Sequence, residues 1–435
     1  MSASSSQRVA VVGAGPSGLT ALRALRAAGL DAVAFERGAR IGGIWTLEDR
    51  RTAAYPALHL ITSRPRTELA EHPMPDGTPD YPSRDAVGAY LESYADRFGL
   101  REHIRLATEV VRAERGAGGG WTLTLGDGSS EAFDVLVVAS GHNDVPKLPD
   151  PAYPGDFHGE QMHALEYPGG EPFRGKRALV VGMGNSAMDI ATELSHVCAR
   201  TLLSVRRGSW IVPKRLLGMP ADQVVKPWTA VHVPWRLRQP VAQALLRFTV
   251  GSPEKLGLPA PSGGLFQDHP TITDTVPSRI AHGAIVPVGP IEALDGDSVR
   301  FAGGRVEEVD AIVWCTGYRV EIPFLDDAIV GDDPQKLPLY KRVLHLDHDD
   351  LLFVGLMQST GSAFPIVERQ AQIVAERLTG RWAPPDRKAM RAETVARRRR
   401  SAKRWGEHGR PTMRVDFDMY MHELGRELEA GRRRA

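Results

Sequence analysis

Two segments of this chain are built alike, and together they restrict its fold more than any other feature. The first, Arg8-Val-Ala-Val-Val-Gly-Ala-Gly-Pro-Ser-Gly18, is a β-branched apolar run entering a glycine turn; Leu19 to Ala28 follow with helical spacing and stop at Gly29. The second, Arg177-Ala-Leu-Val-Val-Gly-Met-Gly-Asn-Ser-Ala187, repeats the pattern, with a predicted helix to about Val197 and a strand over Thr201 to Val205. Strand, tight turn and helix in this order are how a parallel α/β sheet turns free backbone N–H groups toward a phosphate. A glycine turn alone says little, but one with a strand before it, a helix after it and a charged residue at the right distance predicts a dinucleotide site.

That charged residue differs between the copies. The strand Asp31 to Phe35 ends on Glu36, which lies 36 − 13 = 23 residues beyond the first glycine, whereas the second copy has Arg206 and Arg207, starting 206 − 182 = 24 residues beyond its own. A carboxylate accepts hydrogen bonds from a ribose 2′,3′-diol and repels a 2′-phosphate, while guanidinium binds that phosphate in a fork. The first copy therefore predicts FAD or NAD and the second NADP. A further echo pairs Asp134-Val-Leu-Val-Val-Ala-Ser-Gly-His142 with Asp310-Ala-Ile-Val-Trp-Cys-Thr-Gly-Tyr318, each an acid, a buried-strand run, then a small hydroxyl residue and glycine. Each is predicted to be a late strand ending beside its nucleotide.

The remainder of the chain narrows the class. With 435 residues there is room for two or three domains, and 54 Lys+Arg against 53 Asp+Glu leave a net charge of +1, so nothing recruits nucleic acid and small molecules are the expected partners. Cys198 and Cys315 form no CxxC pair and lie 315 − 198 = 117 residues apart, which gives neither a disulfide framework nor a metal site and fits a reducing compartment. No apolar run approaches the length of a membrane span, and the opening MSASSSQ leads into no signal-peptide core, so a cytoplasmic location is expected. The basic run Arg397 to Arg400 reads as a solvated helix face, and His142 and His269 as ordinary loop residues. Asp85 to Arg97 predicts a helix, Thr108 to Leu125 an antiparallel meander, and Pro213 to Pro290 loops with a short helix over Val241 to Phe248, lying over the nucleotide cleft.

Just ahead of the second turn, Phe157-His-Gly-Glu-Gln-Met-His-Ala-Leu-Glu-Tyr167 has the form FxGxxxHxxxY. This resembles the fingerprint of the class B flavin-containing monooxygenases. The same family shows GxGxSG (Gly13 to Gly18), an acid followed by GGxW (Glu36, then Gly42 to Trp45), GMGNS (Gly182 to Ser186) and a late TGY (Thr316 to Tyr318), all in this order here. The likeness covers most of the chain to about residue 380, with a bacterial-type middle region. It implies a disulfide-reductase-like α/β architecture of two Rossmann-like domains: an FAD domain over 1–155 plus 319–435 and an inserted NADP domain over 156–318. It further implies that NADPH reduces the FAD, that oxygen adds to give a C4a-hydroperoxyflavin, and that a soft nitrogen or sulfur nucleophile of a small molecule takes the distal oxygen. Side-chain catalysts are then few, the cofactor carrying the chemistry.

The FAD-binding residues expected from this likeness are Gly13, Gly15, Pro16, Ser17, Gly18, Glu36, Arg37, Gly43, Ile44, Trp45, Thr62, Ser63, Val110, Thr316, Gly317 and Gln358. Those for NADP are Tyr167, Gly182, Gly184, Asn185, Ser186, Ala187, Arg206 and Arg207. His163 and Tyr167 share a four-residue spacing that one helix face would give, and are read as architectural, linking the two domains and shaping the NADP pocket. Family members carry asparagine in a TNxPK-like segment beside the flavin; Thr62-Ser-Arg-Pro-Arg66 puts Ser63 there, and a hydroxyl does not reproduce a carboxamide's paired donor and acceptor. Ser63 is the one catalytic candidate, and an uncoupled NADPH oxidase releasing hydrogen peroxide is an open alternative. Baeyer–Villiger oxygenation of a ketone is another, opposed by Tyr167-Pro168 where ketone-oxidising relatives have tryptophan. A nucleotide-binding redox sensor without turnover is a third, and a homodimer stays open.

Overall fold

The computed structural model describes residues 7–46, 54–267, 270–406 and 412–435, so His269 lies outside the described residues. The elements that carry the argument are, in chain order, β1 (Arg8–Val12), α1 (Pro16–Ala27), β2 (Asp31–Phe35), β3 (Val135–Val138), β4 (Glu160–His163), β5 (Arg177–Val181), α2 (Asn185–Val197), β6 (Arg200–Ser204), β7 (Ala311–Trp314) and β8 (Leu351–Phe353). Three longer helices close the chain: α3 (Phe364–Leu378), α4 (Arg387–Trp405) and α5 (Phe417–Arg434).

The chain divides into two compact units, Met1–Asp49 with Arg64–His142 and Val320–Ala435, and Arg50–Ser63 with Asn143–Arg319. These boundaries differ from those expected at 155/156 and 318/319. The reason is local pairing within the second unit. Val145–Pro146 pairs antiparallel with Tyr318–Arg319, and the Tyr55 hydroxyl donates to Asp189 at 2.7 Å. Thr62 and Ser63 therefore belong to the second unit although they were assigned to the FAD domain, and Thr316 and Gly317, expected among the FAD-binding residues, lie in that unit as well.

In the first unit a seven-stranded sheet runs Leu339–Tyr340, Leu344–His345, β8, β3, β1, β2, Ile104–Arg105, and the pairings of β8, β3, β1 and β2 with one another are parallel. Every residue of β3 and β8 is buried, as near-continuous Val and Leu runs covered on both faces require. The second unit has a five-stranded parallel sheet in the order Val286–Val288, β6, β5, β7, β4. The meander appears as Val110–Arg115, Trp121–Leu125 and Ser130–Phe133, with Trp121 fully packed. Between 213 and 290 the pieces are short except for one helix, Trp235–Thr249, longer than the predicted Val241 to Phe248 because the apolar spacing continues upstream across Pro240.

The duplication seen in the sequence is one of register too. β1 lies between β2 and β3 with Val12 opposite both Phe35 and Val138, and β5 lies between β6 and β7 with Val181 opposite both Ser204 and Trp314. Both turns thus leave the middle of their sheets at a point where the neighbouring strands also end, which is where an α/β sheet opens a crevice for a ligand.

Candidate dinucleotide sites

Each turn is shaped by contact with the end of its late strand. Gly13 has φ +106°, and a Cβ there would lie 2.6 Å from the Ala139 carbonyl oxygen; Gly182 has φ +141°, and its Cβ would lie 2.5 Å from the carbonyl oxygen of Cys315. Only glycine fits positions that combine such a backbone with so close an approach. The two copies part at the third glycine position. A Cβ on Gly18 would stand 1.8 Å from the Gly13 carbonyl oxygen, whereas Ala187 sits fully buried at the corresponding point of α2. In the first copy the helix is pressed onto the turn. In the second it has room for a methyl group.

Both helices open without a side-chain cap: Gly15 precedes α1, with Pro16 at its first position, and Gly184 precedes α2. Their first N–H groups are left for an anion, aided by the positive end of the helix dipole. The glycine cradle and uncapped helix start fit a dinucleotide pyrophosphate in both units. The Asn185 side chain accepts the Ile272 N–H at 2.8 Å, and Thr271 donates its hydroxyl to the Met183 carbonyl, so the second turn is held by the short strand Thr271–Ile272.

At the ends of the second strands the charges differ as expected. The half-buried Glu36 carboxylate accepts from the Ala14 N–H at 2.8 Å and the Gly38 N–H at 2.9 Å, which fixes it beside the first turn. Arg206 and Arg207 are exposed and form no ion pair among the described residues, so both guanidiniums are available. Nearby in the first unit, Gly43 packs against Gly15, a Cβ on it approaching the Gly15 Cα to 3.0 Å, and Trp45 meets Phe364 edge to face at 6.3 Å. Ser17 packs against Gly355; Arg37 and Ile44 are exposed; Val110 is buried in the meander; Gln358 pairs in strand with Arg414.

The second unit places the remaining residues. His163 ends β4 rather than lying on a helix, so the helix-face reading of His163 and Tyr167 is corrected: the chain leaves the sheet at His163 and turns. Its Nδ1 accepts the Leu165 N–H at 3.1 Å, and its Nε2 therefore donates to the Gly317 carbonyl at 3.0 Å. Burial lowers the His163 pKa, which favours this neutral form. The link ties β4 to the Thr316–Tyr318 turn within this one unit. Thr316 donates its hydroxyl to the Lys147 carbonyl, and Gly317 has φ +85°. Tyr167 is 4% exposed and packs on Phe173 at 5.6 Å, making it a core residue beneath the sheet.

Ser63 is fully buried: its N–H donates to Asp222 at 2.7 Å, and its hydroxyl accepts from the Gln223 side-chain amide at 3.1 Å. Asp222 Oδ1 is buried with no hydrogen-bond partner. The chain thus brings the Gln223 carboxamide to Ser63 from 160 residues further on in the same unit. The sequence reading missed this, as it missed Tyr55 and Asp189, whose contact joins residues far apart in the chain and follows no short spacing. Burial raises the Asp189 pKa and holds the Tyr55 hydroxyl well above its ordinary value. Burial also pushes the Cys198 thiol up to about 11 and raises that of Cys315, so both are poor nucleophiles. Among the described residues no cluster of His, Cys, Asp and Glu could hold a metal ion, and no helix is long and apolar enough to cross a membrane.

Comparison with known proteins joins these observations. The model of the flavin-binding monooxygenase-like family matches residues 6–432. The chain is similar to the chimpanzee (Pan troglodytes) protein named dimethylaniline monooxygenase [N-oxide-forming] 2, with 33% identity covering 98% of this chain and 83% of the relative. Among solved structures it is similar to S-allyl-L-cysteine S-oxygenase of Allium sativum, with a TM-score of 0.71, 25% identity, and 98% and 89% of the two chains covered. The fold is shared with NADP⁺-bound cyclohexanone monooxygenase of Rhodococcus sp. Phi1, at a TM-score of 0.72, 19% identity and 99% of each chain. The chain belongs to the flavin-binding monooxygenase-like family, and is an FAD- and NADPH-dependent monooxygenase.

Proposed function

We propose that this enzyme oxygenates a nitrogen or sulfur centre of a small molecule, holding FAD at the first turn and NADPH at the second. The observation that carries the cofactor assignment is the opposite charge at equivalent strand ends, Glu36 against Arg206 and Arg207. The FAD pyrophosphate takes the N–H groups of Gly15, Ser17 and Gly18 at the uncapped start of α1, and the adenosine ribose takes Glu36, which exchanges a backbone bond for the diol. The NADPH pyrophosphate takes Gly182 to Ala187, and its 2′-phosphate the two arginines.

Bound FAD supplies the redox and oxygen chemistry, two electrons from NADPH sending one oxygen atom to substrate and the other to water. The protein's part is to bind, orient and exclude water. Asn185 and Thr271 fix the NADP turn; His163 fixes the Thr316–Tyr318 turn; Ser63 with the Gln223 carboxamide presents a donor and acceptor where family members use one asparagine. The N-oxide-forming and S-oxygenating relatives support a soft nucleophile as substrate. Tyr167-Pro168 speaks against ketones. Balanced charge and two free thiols support action in the cytoplasm.

The test is oxygen and NADPH consumption by the purified yellow protein with N,N-dimethylaniline, S-allyl-L-cysteine and cyclohexanone in parallel. One N-oxide or sulfoxide formed per NADPH is the expected result. Lactone formation would move the assignment to ketone oxygenation, peroxide equal to NADPH to an oxidase, and no NADPH oxidation at all to a sensor.

A further inference from the structure

The second unit carries an apolar surface that its own core does not cover. Among the described residues, seven of the fourteen exposed large apolar side chains fall between 217 and 248, the stretch that holds most of the helix Trp235–Thr249. Counted at about 100° per residue, that helix is apolar on two opposite sides. Ala242 and Leu246 face inward and pack with Trp210 and Leu265. Leu237, Val241, Ala244 and Phe248 recur at i, i+4, i+7 and i+11 on the other side, where Leu237 is 65%, Val241 71% and Phe248 91% exposed. Trp228, on the short helix Pro227–His232 just upstream, is 67% exposed. A stripe of such side chains held in water is unfavourable and marks a contact surface.

The charges indicate what it contacts. The chain as a whole is balanced, yet no acid occurs between Asp222 and Glu254, while Lys226, Arg236, Arg238 and Arg247 are basic. On the helix the arginines flank the outer stripe, Arg236 and Arg247 along one edge and Arg238 along the other. Arg236 lies over the Trp235 ring at 5.8 Å, Arg247 over that of Trp210 at 5.4 Å, and Arg238 donates to the Val233 carbonyl at 2.9 Å, so all three are held beside the stripe. An apolar stripe between two basic edges complements a surface whose outer layer is anionic and whose next layer is hydrocarbon. A second copy of this chain is a poorer match, because isologous pairing of this face would bring basic edges together with no acid of the same stretch to neutralise them.

We propose that the outer face of the helix Trp235–Thr249, with Trp228, docks this protein on an anionic lipid surface. Leu237, Val241 and Phe248 enter the boundary between headgroups and acyl chains, the arginines reach the lipid phosphates, and Trp228 takes the headgroup level. The protein lies on the bilayer, since no helix among the described residues is long and apolar enough to cross it. Docking through one surface helix is reversible and weakens with salt.

The test is flotation of the FAD-loaded full-length protein with vesicles of phosphatidylcholine alone and of phosphatidylcholine with about one-third phosphatidylglycerol. The expected partition coefficient is about tenfold or more higher on the anionic vesicles, and falls about tenfold or more in Val241→Ser/Phe248→Ser and in Arg236→Gln/Arg247→Gln. All four side chains are exposed, so flavin content and Tm should keep their wild-type values, which separates lost docking from lost folding. No flotation with either vesicle, or equal flotation of folded Val241→Ser/Phe248→Ser, would overturn the proposal. Equal partition onto both vesicles would remove the charge argument and the anionic surface with it. A dimer seen by light scattering without lipid, and lost in Val241→Ser/Phe248→Ser, would give the face to a second copy instead.

Discussion

Gly18→Ala tests the first-turn geometry directly. The added Cβ would stand 1.8 Å from the Gly13 carbonyl oxygen, where ordinary contact begins near 3.4 Å, so the start of α1 must retreat by 3.4 − 1.8 = 1.6 Å or the turn must open. Neither is free, because Gly13 is itself pinned against Ala139. Overpacking of this kind costs about 1–3 kcal/mol of stability. A displacement of that size also takes backbone N–H groups out of hydrogen-bond range of a pyrophosphate. Losing one hydrogen bond to a charged group, about 1.5–3 kcal/mol, weakens FAD binding roughly 10- to 150-fold. The assay is flavin content after gel filtration, followed by calorimetric titration of the apoprotein with FAD. The expected product is pale protein with a lowered Tm. The reciprocal change, Ala187→Gly, relieves no clash and costs about 1 kcal/mol of helix propensity, with NADPH affinity altered less than about threefold. A Gly18→Ala protein that is fully yellow, with wild-type FAD affinity and Tm, would refute the reasoning.

Arg206→Ala with Arg207→Ala should raise the KM for NADPH roughly 10- to 100-fold and leave that for NADH within about threefold, since only the 2′-phosphate is lost; equal changes in steady-state assays would remove the charge argument. Gln223→Ala removes the amide N–H donated to the Ser63 hydroxyl and should raise the share of NADPH oxidised that ends as peroxide, read by a peroxide-coupled assay; unchanged coupling would show that this amide only packs. Acid stability should depend on His345, whose pKa is lowered by burial to about 4 from 6.5. The unfolded chain binds that proton more readily, so stability is intact above about pH 6.5 and falls toward pH 4 by an amount on the order of 2 kcal/mol. Tm measured across this range should drop in the wild type and much less in His345→Leu; parallel curves would assign the drop to other groups.

The parts of the fold legible in the sequence were those set by local rules. β-branched runs ending in glycine became β1 and β5; the residue 23 positions beyond the first glycine of the first copy is a held carboxylate, and those 24 and 25 beyond that of the second are guanidiniums with no ion pair among the described residues. The Asp134 and Asp310 runs were legible for the same reason, since continuous apolar strands tolerate little else. What escaped was set by contacts between distant segments. The spacing of His163 and Tyr167 is helical, yet β4 is paired along its length with β7, and that pairing overrides the local pattern. The grouping of residues 54–63 with the second unit depends on contacts such as that of Tyr55 with Asp189, and no periodicity announces it.

The third position of each turn shows why the two copies had to diverge. A glycine there lets α1 press onto its turn so that a Cβ has no space, which brings the helix N-terminus as near as possible to a bound pyrophosphate. At the same place α2 accommodates the buried methyl group of Ala187, so it does not press onto its turn to that degree, and its attraction for a pyrophosphate is expected to be weaker. On the proposed assignment the loss is offset at the strand end, where Arg206 and Arg207 would meet a further phosphate that the first nucleotide lacks. A cofactor that stays bound is therefore held chiefly through the backbone of its turn, and one that must enter and be discriminated chiefly through side-chain charge. Raising ionic strength tests this division, because screening acts most on exposed charges. NADPH affinity should fall steeply between low and physiological salt while FAD retention barely changes, and equal salt dependence of the two would overturn it.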